Sequence, residues 1–181
     1  MLNREIAAKE FWDRSRELTI KNKNYRNFVH KFFYFFLNED VKKDDLTTNY
    51  LIKKNKKIFA EIIAKEDGVV AGLGEFCLLN RDMKIKALKK DGDKIKCDDL
   101  LMEINGDART ILQRERTSLN LLQRMSGIAT LTNSLAKKLD NIRIAATRKT
   151  LWGFIDKKEV SIGGGLTHRL NLIDGVIIKD N

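Results

Sequence analysis

The 181-residue chain has no proline, only two cysteines and only two histidines, and no apolar run approaching the roughly 20 residues of a membrane-spanning helix. Each shortage excludes something. Cys77 and Cys97 cannot build a disulfide framework and do not have metal-ligand spacing, so free thiols in a reducing compartment are expected. The N-terminal stretch MLNREIAAKEFWDRSREL lacks the apolar centre of a secretory signal. Together these point to a soluble cytoplasmic protein with no membrane partner. The missing proline, beside many Lys, Asn and Ile residues, is read as compositional bias.

Positive charge is plentiful. The chain has 35 Lys and Arg against 25 Asp and Glu, a net charge of +10. Such a balance raises the possibility of nucleic-acid binding. The excess, however, lies in Lys-rich stretches such as residues 53–57 and 84–90, without interleaved aromatics or a recognition motif. Solvated faces account for it, and no nucleic-acid partner is expected. An apolar content of 43% is enough for a core in a chain of one to one and a half domains.

Residues 5–37 read as helical. Phe28, Val29, Phe32, Phe33, Phe35, Phe36 and Leu37 form a broad apolar face suited to core and dimer packing. From 57 to 105 the pattern changes to strands: IFAEIIA, GVVAGLGEFCLL, MKIKALKK, a turn at Asp91-Gly92, then KIKCDDLLMEING. The piece DGDKIKCDDLLMEI also resembles half of the hammerhead of biotinyl and lipoyl carriers, which would make Lys84 an attachment site. The interval from Lys84 to Gly92 is too short for that arrangement.

Residues 108–125 read as a helix with Ile111, Leu112, Leu119, Leu122 and Met125 at helical spacing. Arg116 lies in line with Leu112 and Leu119, and a cation bordering an apolar stripe needs an anion or a carboxylate such as Glu115. Gly127 is expected to break this helix, with a second one over 128–139.

The last forty residues contain three short apolar runs, 142–146, 160–162 and 176–178, each of buried-strand length. Each leads into cations: Arg148 and Lys149 after the first, His168 and Arg169 after the second and its Gly163-Gly164-Gly165 turn, Lys179 after the third. In an α/β barrel, parallel strands bring such residues to one mouth. Clustered cations repel one another unless a ligand with several negative groups fills the depression. Taken singly, each could equally be a solvated loop residue. Lys157 falls on a polar segment between two expected strands, outside this cluster.

The segments TRKT (147–150), GGGLTHRLNL (163–172) and IKDN (178–181) resemble the signature of the quinolinate phosphoribosyltransferase family. ERTSLNLLQRMSGIAT (115–130), DDLTT (44–48) and DGVVAG (67–72) resemble it as well, in the right order. The resemblance implies an α/β fold, with an N-terminal α/β sandwich over residues 1–115 and the first strands of an incomplete α/β barrel over 116–181. It implies transfer of phosphoribose from phosphoribosyl pyrophosphate to quinolinate with decarboxylation, giving nicotinate mononucleotide for NAD synthesis. A relative acting on another aromatic acid, a polyanion-binding module and a non-catalytic partner subunit are the alternatives.

By the same resemblance Arg116, Arg148, His168 and Arg169 clamp carboxylates, Lys149 and Lys179 face phosphate and carboxylate oxygens as catalytic cations, and Thr150 belongs to the substrate-binding set. Arg116 is expected to serve the active site of a second subunit in a homodimer. Mg²⁺ is expected on the pyrophosphate, with no protein ligand to it in this stretch, because the family's metal-binding acids and phosphate loop would follow Asn181. The 181 residues alone are therefore expected to give no turnover. The family pattern TRKTTPG is replaced by TRKTLWG, so Leu151 and Trp152 change the loop after two site residues.

Overall fold

The computed structural model describes residues 11–54, 56–140, 142–178 and 180. A 3₁₀ turn at Ser15–Glu17 precedes helix α1, Lys23–Val41. Asn22 starts α1 by accepting the amides of Asn24 and Tyr25, which would otherwise be orphaned at the helix end. Tyr25, Val29 and Phe33, spaced by four, are its buried face. The first part of the expected 5–37 helix, up to residue 10, lies outside the described residues. A short helix α2, Leu46–Leu51, is capped by Asp45.

Strand β1, Lys57–Ile63, alternates exposed and half-buried residues, as a strand with one covered face must. It pairs antiparallel with β5, Leu100–Asp107, from Lys57↔Asp107 to Ile62↔Met102. β3, Lys84–Ala87, pairs with the other edge of β5, giving the order β1-β5-β3. A second small sheet joins β2, Gly68–Val69, to β4, Lys94–Ile95. The run GVVAGLGEFCLL, read as one strand, divides here. Gly72, at φ 97°, turns the chain from β2 into helix α3, Leu73–Leu79. An unbroken apolar run has no period by which strand and helix could be separated. Lys84 is paired within β3 opposite Asn105, where a swinging arm would need a free turn.

Helix α4, Ala108–Ala136, is 29 residues long, or about 44 Å at 1.5 Å per residue. It continues through residues 115 and 116 and also through Gly127, contrary to the expected break. Two side-chain bonds explain the continuity. The Val69 amide donates to Thr130 Oγ1 at 2.8 Å, and the Ala71 amide to Ser126 Oγ at 3.0 Å. Gly127, exposed between those anchors, costs about 1 kcal/mol of helix propensity, which the tertiary bonds override.

α4 belongs to two cores. Leu121, Met125 and Ala129 pack with Tyr25, Val29 and Phe33 of α1, while Leu122 packs with Phe76, Met102 and Ile104 beneath the three-stranded sheet. Beyond α4 comes helix α5, Phe154–Ile162. The 160–162 run, expected as a barrel strand, is the last turn of α5. The 142–146 run is reduced to a parallel bridge between Ala145 and Leu166. No strand forms over 176–178, where Val176 and Ile178 are 86% and 91% exposed. The fold is thus mixed α/β, a sandwich followed by one parallel pairing, and the described residues contain no closed barrel. None of their helices is long and apolar enough to cross a membrane.

Candidate active site

The parallel bridge at Ala145 and Leu166 sets the site. Leu166 N donates to Ile144 O and Ala146 N to Leu166 O, both at 2.8 Å. Because the pairing is parallel, both segments leave it at the same end. The 147–150 loop, with Arg148 and Lys149 exposed, therefore emerges beside His168 and Arg169. Gly163 lets the end of α5 lie directly against α4. A Cβ there would lie 2.5 Å from the Ala129 carbonyl oxygen of α4.

The second loop is tied down residue by residue. His168 takes a left-handed backbone at φ 54°, and its amide donates to Trp12 O at 2.8 Å. The Trp12 ring stacks on its imidazole at 4.8 Å, and Phe11 meets it edge-on at 5.4 Å. Arg169 Nη1 donates to Gly175 O at 2.6 Å, and Arg14 pairs with Asp174 at 3.5 Å. Asp174 Oδ2 accepts the amides of Leu170 and Asn171.

Beneath the loop sits Lys157, which is 2% exposed and donates from Nζ to Thr167 O at 2.8 Å. The polar inter-strand position expected for it is corrected: it is on α5, with its ammonium under the site. Burial lowers the pKa of Lys157, and the Arg148 charge lowers it further, against the pull of Asp174. Burial also lowers that of His168, aided in turn by Lys157, Arg169 and Arg148. His168 is consequently a neutral imidazole at pH 7, in a positive field set by Lys157, Arg169 and Arg148.

Thr150, Lys149 and Arg148 lie on one loop. The Thr150 hydroxyl donates to Asp156 of α5, and the Lys149 amide donates to Thr147 Oγ1 at 3.1 Å. Arg116 lies elsewhere, exposed on α4, at a cavity of about 290 Å³ shared with Phe32, Phe36, Asp40 and Trp152. Among the described residues it forms no ion pair, so Glu115 is not its partner. Lys179 lies outside the described residues.

Asp156 and Glu159 form an acid pair one turn apart on α5. Arg124 Nη2 binds Asp156 at 2.7 Å, while its Nε stays 3.9 Å from Glu159, whose two oxygens find no donor. Glu159 is fully buried. Burial, then the neighbouring Asp156, pushes its carboxyl up to about 9, so it holds a proton that it shares with Asp156. Burial also favours protonation of Asp156, but hydrogen bonds from Glu159, Arg124 and the Trp152 amide outweigh it and hold Asp156 below the ordinary carboxylate range.

Two family models match the chain: quinolinate phosphoribosyl transferase, N-terminal domain, over residues 45–126, and the C-terminal domain of the same enzyme over 128–181. The chain belongs to this family. A probable nicotinate-nucleotide pyrophosphorylase (carboxylating) of Methanothermobacter thermautotrophicus is 44% identical over 150 residues, 78% of this chain and 54% of the relative. One of the same description from Bacillus subtilis is 41% identical over 156 residues, 82% of this chain and 53% of the relative. The crystal structure of NadC from Streptococcus pyogenes superposes with a TM-score of 0.75 at 36% identity, covering 84% of this chain and 58% of that one. The chain spans about half the length of the curated relatives it matches.

Within this family frame, several supports of the site went unread in the sequence. Phe11, Trp12 and Arg14 close over the His168 loop, although the first twenty residues suggested no role. Their only sequence mark is a pair of adjacent aromatics. Lys157 and Asp156 sit in the charged run DKKE, which reads as a solvated face. Leu151 does point to solvent at 96% exposure, but Trp152 is held by Arg124 at 4.2 Å and Phe32 at 4.9 Å, so the TRKTLWG loop has a defined anchor.

Two expectations follow from the electrostatics. The unfolded chain releases the Glu159 proton near 4.5, and the folded chain only near 9. Its contribution to stability is thus complete below pH 4.5 and is lost progressively as pH rises through 9, on the order of 3 kcal/mol by pH 7. Glu159→Gln, which cannot ionise, should melt above the wild type by a margin that widens from pH 5 to pH 9. Parallel melting curves would show that Glu159 is already charged.

The second concerns Lys157. Replacing it by Met removes one of the charges acting on His168, so the imidazole should titrate at higher pH. Proton NMR reads this directly, since His30 and His168 are the only two histidines. The His30 signal serves as the internal reference. An unmoved His168 titration would mean that the Lys157 charge does not reach it.

Proposed function

We propose that this chain takes part in the quinolinate phosphoribosyltransferase reaction: phosphoribose passes from phosphoribosyl pyrophosphate to quinolinate, releasing pyrophosphate and CO₂ and giving nicotinate mononucleotide. The observation that carries the reading is the parallel bridge, which delivers Arg148, Lys149, His168 and Arg169 to one end over the buried Lys157. Quinolinate brings two carboxylates and the co-substrate several phosphate oxygens, the anions such a field favours. The pyridine nitrogen attacks the ribose carbon as pyrophosphate departs. The ring carbon then loses CO₂, its electron pair is steadied by the adjacent cationic nitrogen and by the surrounding guanidinium and ammonium groups, and it takes up a proton from water to give the product.

In this reading Arg148 and Arg169 clamp the carboxylates with neutral His168 beside them, Lys149 and Lys179 are the catalytic cations, and Thr150 fixes the loop that bears Arg148 and Lys149. Mg²⁺ would arrive on the pyrophosphate. The described residues offer no set of three His, Cys, Asp or Glu to hold it, and no step is routed through it. A cytoplasmic site of action fits the two free thiols. We also propose a homodimer in which Arg116 serves the partner's site. Its exposure, its separation from the His168 group and its lack of an ion-pair partner support this.

Calorimetry tests the binding. Quinolinate should bind more tightly than nicotinate, and Arg169→Ala should weaken it tenfold or more, since a charge-assisted bond contributes about 1.5 to 3 kcal/mol. Lys94→Ala, on the exposed edge strand β4, removes the same charge and should have little effect. Equal losses from the two would sink the reading.

The shared site has its own test. Neither Arg116→Ala nor Arg169→Ala homodimers should bind quinolinate well, but a verified mixed dimer regains one intact site out of two. Titration should then count about half a site per chain. No restored site would rule out exchange of Arg116 between subunits.

A further inference from the structure

The 147–152 loop carries Arg148 and Lys149 without regular structure of its own, so something else must hold these two cations in place. Three bonds converge on one carboxylate. Asp156 accepts from the Thr150 hydroxyl, from the Trp152 amide at 3.2 Å, and from Arg124 Nη2 of α4 at 2.7 Å. The amide bond alone would be ordinary satisfaction of a helix start. The other two are not needed for that purpose, because one grips a loop side chain and the other fixes the carboxylate to a second helix.

The same guanidinium lies over the Trp152 ring at 4.2 Å, and Phe32 and Phe36 of α1 flank that ring at 4.9 and 5.7 Å. Arg124 therefore grips the loop twice, once through Asp156 and once through the indole. We propose that Asp156 and Arg124 are positioning residues that pin the 147–152 loop through Thr150 and Trp152, so that Arg148 and Lys149 are presented to the anionic ligand. The inference rests on the proposed function for the identity of that ligand, but not for the tether itself.

Glu159 fits the same arrangement. Its proton faces Asp156, and Arg124 is the cation that faces both acids, so the pair holds one negative charge matched by one positive. Lys157 and Lys158, adjacent on α5, are engaged elsewhere, with Thr167 and with Glu75. No other cation on the neighbouring elements bonds to Asp156 among the described residues. Removing the carboxylate should release the loop without removing any cation from the site.

The test uses the protein labelled with 5-fluorotryptophan, which gives two resonances, from Trp12 and Trp152. Trp152→Phe assigns them. In Asp156→Ala the Trp152 line should broaden and move toward the position of free fluorotryptophan, while far-UV circular dichroism stays unchanged. The dissociation constant of quinolinate should rise tenfold or more. Asp156→Asn, whose carbonyl oxygen still accepts from Thr150 and Trp152 but whose amide group loses the bond to Arg124, should fall between the wild type and the alanine variant in both line position and affinity. If Asp156→Ala does not fold, Thr150→Val removes one tether alone and should shift the Trp152 line part of the way.

An unmoved Trp152 line in the folded alanine variant overturns the tether. A moved line with unchanged quinolinate affinity overturns the positioning role. If the wild type binds no quinolinate, the proposed function fails instead, and the affinity comparison is made with inorganic pyrophosphate, which Arg148 and Lys149 would also bind.

Discussion

Helix α4 has to satisfy two cores at once, and most of the architecture depends on how it does so. Leu121, Met125 and Ala129 face α1 while Leu122 faces the sheet, so the helix cannot rotate without exposing one set. Its polar side chains are fixed by the same constraint. Thr130 completes the edge of β2 and Ser126 holds Ala71 just beyond it, Arg124 reaches Asp156 on α5, and the Ala129 backbone lies so close to Gly163 that no side chain fits there. The N-terminal sandwich and the cationic loops are thus registered against one rod. Displacing it would move Arg148 and His168 relative to each other as well as opening the cores.

On α5 four consecutive charged residues are each engaged differently. A helix turns about 100° per residue, so Asp156, Lys157, Lys158 and Glu159 face four directions. Asp156 meets Arg124, and Lys157 meets the Thr167 carbonyl. Lys158 meets Glu75 at 2.9 Å, which also accepts from the Tyr25 hydroxyl at 2.8 Å, and Glu159 shares a proton with Asp156. Burying such groups is costly unless each finds a partner. What offsets that cost here is convergence, since the charged groups link α1, α3, α4, α5 and the site loops.

This convergence is why the two halves of the chain differ in legibility. β1 could be read from alternation, because one face meets solvent and the other the core, and β3 and β5 as the short runs on either side of the turn at Asp91-Gly92. The family was also legible, through TRKT and GGGLTHRLNL. The geometry of the site cations was not. The run 160–162 is helical because Ile155 and the charged partners of α5 are buried together, a fact carried by residues that look solvated. Gly127 reads as a breaker only when the bonds of Ser126 and Thr130 to Ala71 and Val69 are unseen. The role of Trp12 depends on a contact 156 positions away in sequence, which no local pattern encodes.

Neutral His168 among cations is a consequence of the same packing rather than an exception to it. An imidazolium there would add a charge to a field already set by Lys157, Arg148 and Arg169, in a place where Trp12 and Phe11 displace water. The proton is excluded, and the ring keeps one nitrogen able to accept. Its Nδ1 is buried with no donor among the described residues, so the left-handed turn at His168 is held by the amide bond to Trp12 and by stacking, not by the imidazole's own polar atoms. An anionic ligand entering this field would meet fixed cations with little reorganisation left to pay for, because the loops bearing them are already held from below by Lys157 and from the side by Asp156. The placing of the exposed cations then depends on those buried supports.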